Sequence, residues 1–571
     1  MRNLLPAFLL FTSSFSFAQS VGPNTNVIID TNNIAAGFNS AGDLFSKDTF
    51  VSSNFTPYGE FRVPKAGAAH SIFSGNIWVA GKDIGGNLHS SSELYGSRYQ
   101  PGPSHTGPQD SVAWNNIWAI SRVDVLSVKN DFDTHHAITL PVPASVLGWP
   151  AKGNASATGN GGVSLVITQD MAPFVDRNGD GVYNVYDGDY PLVRGDKMLW
   201  WINNDAGSQS QNPMGVDRRY SVYEYSSATD SNLNNTLFLS VSIKNQSGAA
   251  YDSLLIGSFV DFDLGCANND RTGSIPAKST FYVYNGFVAG GVQSGGVTCD
   301  EGTVCPTGEV GYGCSLPIMS ATFLNDTLKV YNYYTNGAAS GQADPSTDPQ
   351  FYNYLNGKWS DGTPLTFGGN GYGGSTAYPF AFPGNPADAS QWSECNPQTG
   401  PALAAGDRRS VGVIGPFALA AGDTISFDMA FVFHPGPFDN CPDFSDSSVV
   451  SQHIDSIRRY YQSETFPQWY TNAKALSPGF YNVGINEVAS GTNFSLIPNP
   501  NNGNFNLHVS NANVSEYAVT ITDMLGRIVY RNTSAHVPDQ AVQLTDVTTG
   551  VYTVSLEAQN YKATKKIIIT K

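Results

Sequence analysis

Alternation of apolar and polar residues at period two is the pattern that most restricts how this chain can fold. Leu237, Leu239, Val241 and Ile243 fall on one face of an extended segment, and Ile425, Phe427, Met429, Phe431 and Phe433 on one face of another. Successive side chains of a strand stand on opposite faces, so each such segment has one apolar side that must be covered. Sheets covered this way pack face to face, which places the chain among mainly β, antiparallel sandwich-rich proteins. One stretch departs from the pattern. From Asp446 to Ser463 the apolar positions Val450, Ile454, Ile457 and Tyr461 recur at helical spacing, with Asp446 or Ser447 available as N-cap, so one surface helix is expected. Composition agrees: 58 Gly, 32 Phe and 28 Tyr with only 13% charged residues suit long turn-rich loops between strands.

The most chemically specific run is Asp176 to Asp187, D-R-N-G-D-G-V-Y-N-V-Y-D. Oxygen-bearing side chains recur here at alternate positions around a glycine, as a hard cation requires when a short chain must wrap tightly around it. Asp176, Asn178 and Asp180 are expected as the first, third and fifth ligands of a calcium ion. Val182 would offer its backbone carbonyl, Asn184 a water, and Asp187 the closing carboxylate. Helical calcium hands close with Glu, and the flanks Ala172-Pro173-Phe174 and Gly188-Asp189-Tyr190-Pro191 are turn formers, so the resemblance is to the loop alone, as in dockerin-like and thrombospondin-like repeats. The competing reading is an Asp/Asn/Gly turn that needs no ion.

The chain starts with Met1-Arg2-Asn3, the apolar run Leu4 to Phe11 and then Ser16-Phe17-Ala18-Gln19, the layout of a secretory signal peptide over residues 1–18. No run of about 18 apolar residues marks a membrane span. Six cysteines follow (Cys266, Cys299, Cys305, Cys314, Cys395, Cys441), and an even number in an exported chain suggests disulfides, with at least one local bridge between Cys266 and Cys314. No pair has C-x-x-C spacing with histidine at ligand distance, which argues against zinc. A formal charge of −17 argues against nucleic acid or anionic lipid as partner.

A Ser/Pro/Gly/Asn-rich segment at 477–493 reads as a linker between a large β-rich region, 19–476, and a small β-domain, 494–571. The small domain carries Pro498-Asn499-Pro500 with Gly503, then Tyr517, Val519 and Ile521 leading into Asp523-Met524-Leu525-Gly526-Arg527, then Thr549-Gly550-Val551-Tyr552, and finally Lys565-Lys566 before Ile567 to Ile569. Short strands joined by turns at this spacing fit a small Ig-like sandwich. The order of these motifs closely resembles the type A C-terminal sorting domain of the type IX secretion system of Bacteroidetes. That resemblance implies recognition by the type IX machinery, crossing of the outer membrane, and a secreted or outer cell-surface location. Ile77-Trp78-Val79-Ala80-Gly81-Lys82-Asp83, Trp149-Pro150-Ala151-Lys152-Gly153-Asn154, Trp200-Trp201-Ile202-Asn203-Asn204-Asp205 and Gly406-Asp407-Arg408-Arg409 resemble a set of large exported proteins with the same terminal domain and no assigned activity.

Nucleophile elbows, zinc-binding helices and phosphate loops are absent from the sequence. His135-His136 after Asp131 and Asp133 could form a metal cluster, although neighbours on a strand would face opposite sides. Asp261 and Asp263 would share a strand face, where they could bind a second cation, serve acid/base chemistry or simply cap a turn. Trp200-Trp201 and Tyr331-Asn332-Tyr333-Tyr334 could stack on sugars, though core is the simpler expectation. The preferred reading is a non-catalytic surface or secreted β-protein with a binding or structural role, stabilised by calcium, with a glycan or surface component as a further partner. An extracellular hydrolase acting on polysaccharide or protein is the alternative.

Overall fold

The computed structural model describes residues 25–51, 54–95, 99–104, 108–285, 310–313, 316–338, 341–436, 448–463, 474–475, 494–499, 501–509, 516–523, 527–536, 539–545, 547–558 and 561–570. The segments expected as signal peptide and linker lie outside these residues. Contacts divide the chain into two units, Met1–Tyr481 and Asn482–Lys571. Every pairing between described strands is antiparallel.

The first unit is built on a nine-stranded sheet. Its order runs Trp118–Ser121, Lys197–Asn204, Val216–Glu224, Thr236–Asn245, Thr424–His434, Ile318–Phe323, Thr280–Asn285 and Asp270–Ile275, with Gln100–Pro101 added beside Lys197–Asn204. A five-stranded sheet, Val330–Thr335, Arg408–Leu419, Tyr251–Asp261, Ser74–Lys82 and Leu88–Ser91, shares its core. Leu237, Leu239, Val241, Ile243, Phe427, Met429 and Phe431 of the first sheet form one apolar cluster with Ile256, Val411, Val413 and Tyr331 of the second. The alternating residues therefore face this shared core, as their spacing predicts.

The other face of the nine-stranded sheet is also covered, which alternation alone did not announce. Phe238, Ala430, Val432, Trp200 and Ile202 pack there with Val125 and Val128 of the helix Arg122–His135 and with Trp149, Tyr183 and Tyr190 from the following loops. Ser240 and Ser242 occupy intervening buried positions, and small hydroxyls let that face read as polar in the sequence although it is covered. The helix Arg122–His135 itself was not expected. Ser121 caps it, accepting a hydrogen bond from the Asp124 N–H at 3.1 Å, and His136 ends it in the left-handed region at φ 53°. The expected helix is present as Ser448–Ser463, with Val450, Ile454 and Ile457 buried. Its proposed N-cap residues, Asp446 and Ser447, lie outside the described residues.

Among the described residues the second unit has seven strands. Phe494–Ile497, Asn504–Val509 and Asp539–Gln543 form one sheet, and Ile528–His536, Glu516–Thr522, Gly550–Ala558 and Tyr561–Ile569 the other. Phe494, Leu507, Val519, Ile521, Val554, Leu556, Ile567 and Ile569 make a common core, the arrangement of a small Ig-like sandwich. The Pro-Asn-Pro motif has a structural reason. Asn499 Nδ2 donates to the Lys566 carbonyl at 3.0 Å and Asn499 Oδ1 accepts from the Ile568 N–H at 2.8 Å, fastening the start of the domain to its last strand. Asn501 Oδ1 accepts from the Gly503 N–H at 2.7 Å, and Gly503 sits at φ 103°, where a side chain would be strained.

Among the described residues no helix is long and apolar enough to cross a membrane. Cys266 and Cys395 are buried. The other four cysteines lie outside the described residues.

Candidate metal centre

The acidic loop is the connection of a β-hairpin. Phe174–Asp176 pairs with Tyr190–Pro191, Val175 opposite Tyr190, and Asp176 also stands opposite Lys474 across the sheet. The loop is anchored from below by Tyr183, whose N–H donates to the Lys152 carbonyl at 2.8 Å and whose hydroxyl donates to the Val146 carbonyl at 2.7 Å. At its side the Arg177 guanidinium pairs with Asp133 and lies over the Phe132 ring, 5.1 Å from the centroid, so the loop docks on the helix Arg122–His135.

Asp176 is buried and organises the first half. Its Oδ1 accepts from the Gly179 N–H at 2.6 Å and its Oδ2 from the Gly181 N–H at 2.7 Å. Gly179 and Gly181 have φ of 79° and 80°, which only glycine adopts cheaply. Asn178 Oδ1 accepts from the Asp180 N–H at 3.0 Å, and Asp180 Oδ1 from the Val182 N–H at 2.8 Å, two Asx-type turns in series. Asn178 Nδ2 also donates to Asp180 Oδ2 at 3.0 Å, so these side chains are organised by the turn itself.

The expected closing residue, Asp187, and its neighbour Asp189 are placed differently. Asp187 lies exposed in the short turn Val185–Asp187, its Oδ2 accepting from Asn184 Nδ2 at 2.7 Å. Gly188, at φ 94°, then reverses the chain, and a Cβ there would meet the Phe132 ring at 2.6 Å, so both conformation and space require glycine. Asp189 consequently returns beneath the loop. Its Oδ1 accepts from the Arg177 N–H and its Oδ2 from the Asn184 N–H, each at 2.9 Å. Burial raises its pKa to about 6; those two hydrogen bonds oppose the rise, and the negative charges of Asp176 and Asp180 add to it. Asp189 thus lies near enough to Asp176 and Asp180 to feel their charge, and the sequence reading missed it because it lies two positions beyond the twelve-residue pattern.

The other sequence candidates resolve differently. Asp131 and His135 are one helical turn apart, not on a strand, and His135 Nδ1 contacts Asp131 Oδ1 at 2.9 Å. The Thr139 hydroxyl and the Leu140 N–H hold the Asp131 carboxylate well below its usual range, while Asp133 is taken by Lys129 and Arg177. These residues form no metal cluster. Trp200, Trp201, Tyr331, Tyr333 and Tyr334 are buried; Trp201 stacks on Tyr220 at 4.7 Å, so these rings are core and present no face to a sugar. Each ring of this kind removes roughly 150–250 Å² from water, on the order of 4–6 kcal/mol gross at about 25 cal/mol per Å².

Asp261 and Asp263 are buried at the end of the strand Tyr251–Asp261 and in the turn after it. Burial drives the Asp261 carboxyl well above the usual carboxylate range, Asp263 adds to the shift, and Arg409 opposes it. A polar groove of about 490 Å³ lies elsewhere, lined by Asn32, Asn33, Lys65, Asn234 and Asn235 among others. Its amides are largely engaged: Asn33 Nδ2 donates to Asn235 Oδ1 at 2.8 Å and Asn32 Nδ2 to the Thr236 carbonyl at 2.9 Å.

Comparison with known proteins bears on the second unit. Residues 495–570 match the family model of the secretion system C-terminal sorting domain. The chain thus carries a type IX sorting domain, which implies interaction with the type IX secretion machinery and makes this a secreted or cell-surface protein. No curated protein sequence matches the chain. Among solved structures it is similar to a polysaccharide lyase, at 8% identity and a TM-score of 0.19, over 70% of this chain and 39% of the lyase. It is also similar to the BSP domain of a biofilm-associated protein, at 10% identity and a TM-score of 0.15, over 96% and 81% of the two chains. Likenesses this weak carry no argument about fold or activity.

Proposed function

We propose that this is an exported surface β-protein with a non-catalytic binding or structural role, whose large unit is clamped by a calcium ion in the 176–189 loop. The observation that carries the reading is the succession of Asp176, Asn178 and Asp180 at alternate positions of one glycine-bearing turn, with Asp189 near enough that the charges of Asp176 and Asp180 raise its proton affinity. The donors are all oxygen, which suits a hard cation. Asp176, Asn178, Asp180 and Asp189 would hold the ion, with the Val182 carbonyl as the backbone ligand; bound calcium would supply the positive charge that offsets their mutual repulsion. Asp187, the last residue of the twelve-residue pattern, is the alternative to Asp189 as the closing carboxylate.

A calorimetric melt of the full chain, with chelator and with millimolar calcium, tests the clamp. The melting temperature rises with calcium in the wild type, and the loop's share of that rise disappears in Asp180→Ala. Superimposable wild-type melts would return the segment to an ordinary turn. The burial of Asp261, Trp200 and Trp201 favours a non-catalytic role over hydrolysis. A glycan array run beside a broad hydrolase screen decides that point, since turnover of any polysaccharide or protein would reverse it. Export is tested separately: deletion of residues 494–571 leaves the protein in the periplasm, and normal surface levels of the truncated form would contradict the sorting role. Non-reducing mass mapping is expected to place all six cysteines in three bridges.

A further inference from the structure

We propose a second divalent-cation site, of calcium type, where three strand ends bring Asp261, Asp263, Asp270 and Asp407 together. It uses none of the residues of the 176–189 loop and does not depend on that reading. One carboxylate oxygen from each of Asp261, Asp263 and Asp407 lies within 4.8 Å of the others. Two ligands of one calcium ion, each at about 2.3–2.6 Å, are at most about 5 Å apart, so this spread fits a single ion.

The register explains the convergence. Asp261 ends its strand opposite Arg409, and Asp407 stands just before the strand Arg408–Leu419. Asp270 opens the strand Asp270–Ile275 and is tied to both neighbours: its Oδ2 accepts from the Leu264 N–H, next to Asp263, at 3.2 Å, and its carbonyl accepts from the Gly406 N–H, next to Asp407, at 2.9 Å.

A second observation points to a ligand. Asp261 is 2% exposed; its Oδ2 accepts from the Tyr95 hydroxyl at 2.5 Å and from Arg409 Nε at 3.3 Å, while its Oδ1 is buried with no partner. Asp407 repeats the arrangement, with Oδ2 engaged by Asn336 Nδ2 at 2.8 Å and Arg409 Nη2 at 3.6 Å and Oδ1 buried without a partner. Asp270 is 0% exposed and likewise leaves Oδ1 unpartnered. In Asn269, beside it and 2% exposed, both amide atoms lack partners. Buried polar atoms are rarely left so, because each loses its hydration without replacement. Here several coincide, all on the members of one acidic group or the residue adjoining it.

Charge makes the same point. Against these four carboxylates the guanidinium in contact is Arg409, which Asp344 shares at 3.4 Å, whereas Arg408 is committed to Glu394 at 3.0 Å. His70, 3.7 Å from Asp263, can add at most one positive charge. A divalent ion both offsets the remaining charge and coordinates the orphaned oxygens. An all-carboxylate, water-poor pocket favours calcium over magnesium, which retains several waters.

The test uses the full chain carrying Asp180→Ala, an exposed loop substitution that disables the 176–189 loop, stripped with chelator and titrated calorimetrically with calcium alone. One calcium per chain is expected to bind, with at least tenfold weaker affinity once Asp407→Asn is added and the circular dichroism spectrum unchanged. Folded Asp180→Ala protein that binds no calcium overturns the site, as does undiminished affinity in the double variant. If the double variant does not fold, long-wavelength anomalous diffraction from a calcium-grown Asp180→Ala crystal decides: a peak among Asp261, Asp263 and Asp407 supports the site, and its absence overturns it.

Discussion

The 176–189 loop and the Asp261–Asp407 cluster are both acidic, yet they treat their carboxylates in opposite ways. In the loop almost every oxygen accepts an N–H from within the same short run: Gly179 and Gly181 serve Asp176, Val182 serves Asp180, Arg177 and Asn184 serve Asp189. In the cluster the groups arrive from distant parts of the chain, Arg409 reaching Asp261 across 148 residues, and Oδ1 of Asp261, Asp270 and Asp407 finds nothing. A contiguous motif can therefore satisfy itself through its own backbone, while the cluster made by converging strands receives few backbone donors, such as the Leu264 N–H that reaches Asp270 Oδ2. Ease of recognition in sequence and physical need for a cation are separate properties.

The sharpest way to break this comparison is Arg409→Met. Arg409 is buried and touches Asp261, Asp344 and Asp407, so its loss leaves uncompensated buried charge and should destabilise the chelated protein by about 3–5 kcal/mol in urea unfolding. A loss under about 1 kcal/mol would mean that the cluster is already neutral and that the two regions differ less than their contacts suggest.

A smaller effect ranks the loop's own carboxylates. At free calcium about a hundredfold above its dissociation constant, occupancy adds about 2.7 kcal/mol. Asp189→Asn should remove most of the loop's share, whereas Asp187→Asn, on an exposed side chain engaged only by Asn184, should change stability by no more than about 0.5 kcal/mol. Melting curves in calcium for both variants give the order, and the reverse order would restore Asp187 as the closing ligand.

The smallest effect is in pH. Without metal the folded pKa of Asp189, about 6, lies above its ordinary 3.8, so the folded state holds the proton more tightly than the unfolded one. The stabilisation this gives is complete below about pH 4 and is lost as pH rises through 6. In chelator, wild type should therefore lose stability over this window relative to Asp189→Asn; in calcium the slope should reverse, because the ion binds the ionised form. Parallel melting-temperature profiles for the two proteins in chelator would remove Asp189 from the site.

Sequence by itself determined the features that a few neighbouring residues encode. Period-two alternation placed Leu237 to Ile243 and Phe427 to Phe433 on the shared core, the helical spacing of Val450, Ile454 and Ile457 marked Ser448–Ser463, and the Asp/Asn/Gly run made its own turns. The terminal motifs were legible for the same reason, since Asn499 and Asn501 bond to backbone at fixed places in a small sandwich. Only the tertiary structure decided the rest. The covering of the second sheet face depends on a helix whose sequence, Arg122–His135, has no strong apolar stripe. Asp189 is buried while Asp187 is exposed because Gly188 reverses the chain close to Phe132, a residue of another element. Asp261, Asp263 and Asp407 meet, with Asp270 tied beside them, because sheet registers bring separate strand ends to one point, and register is fixed by long-range pairing that no local run of residues specifies.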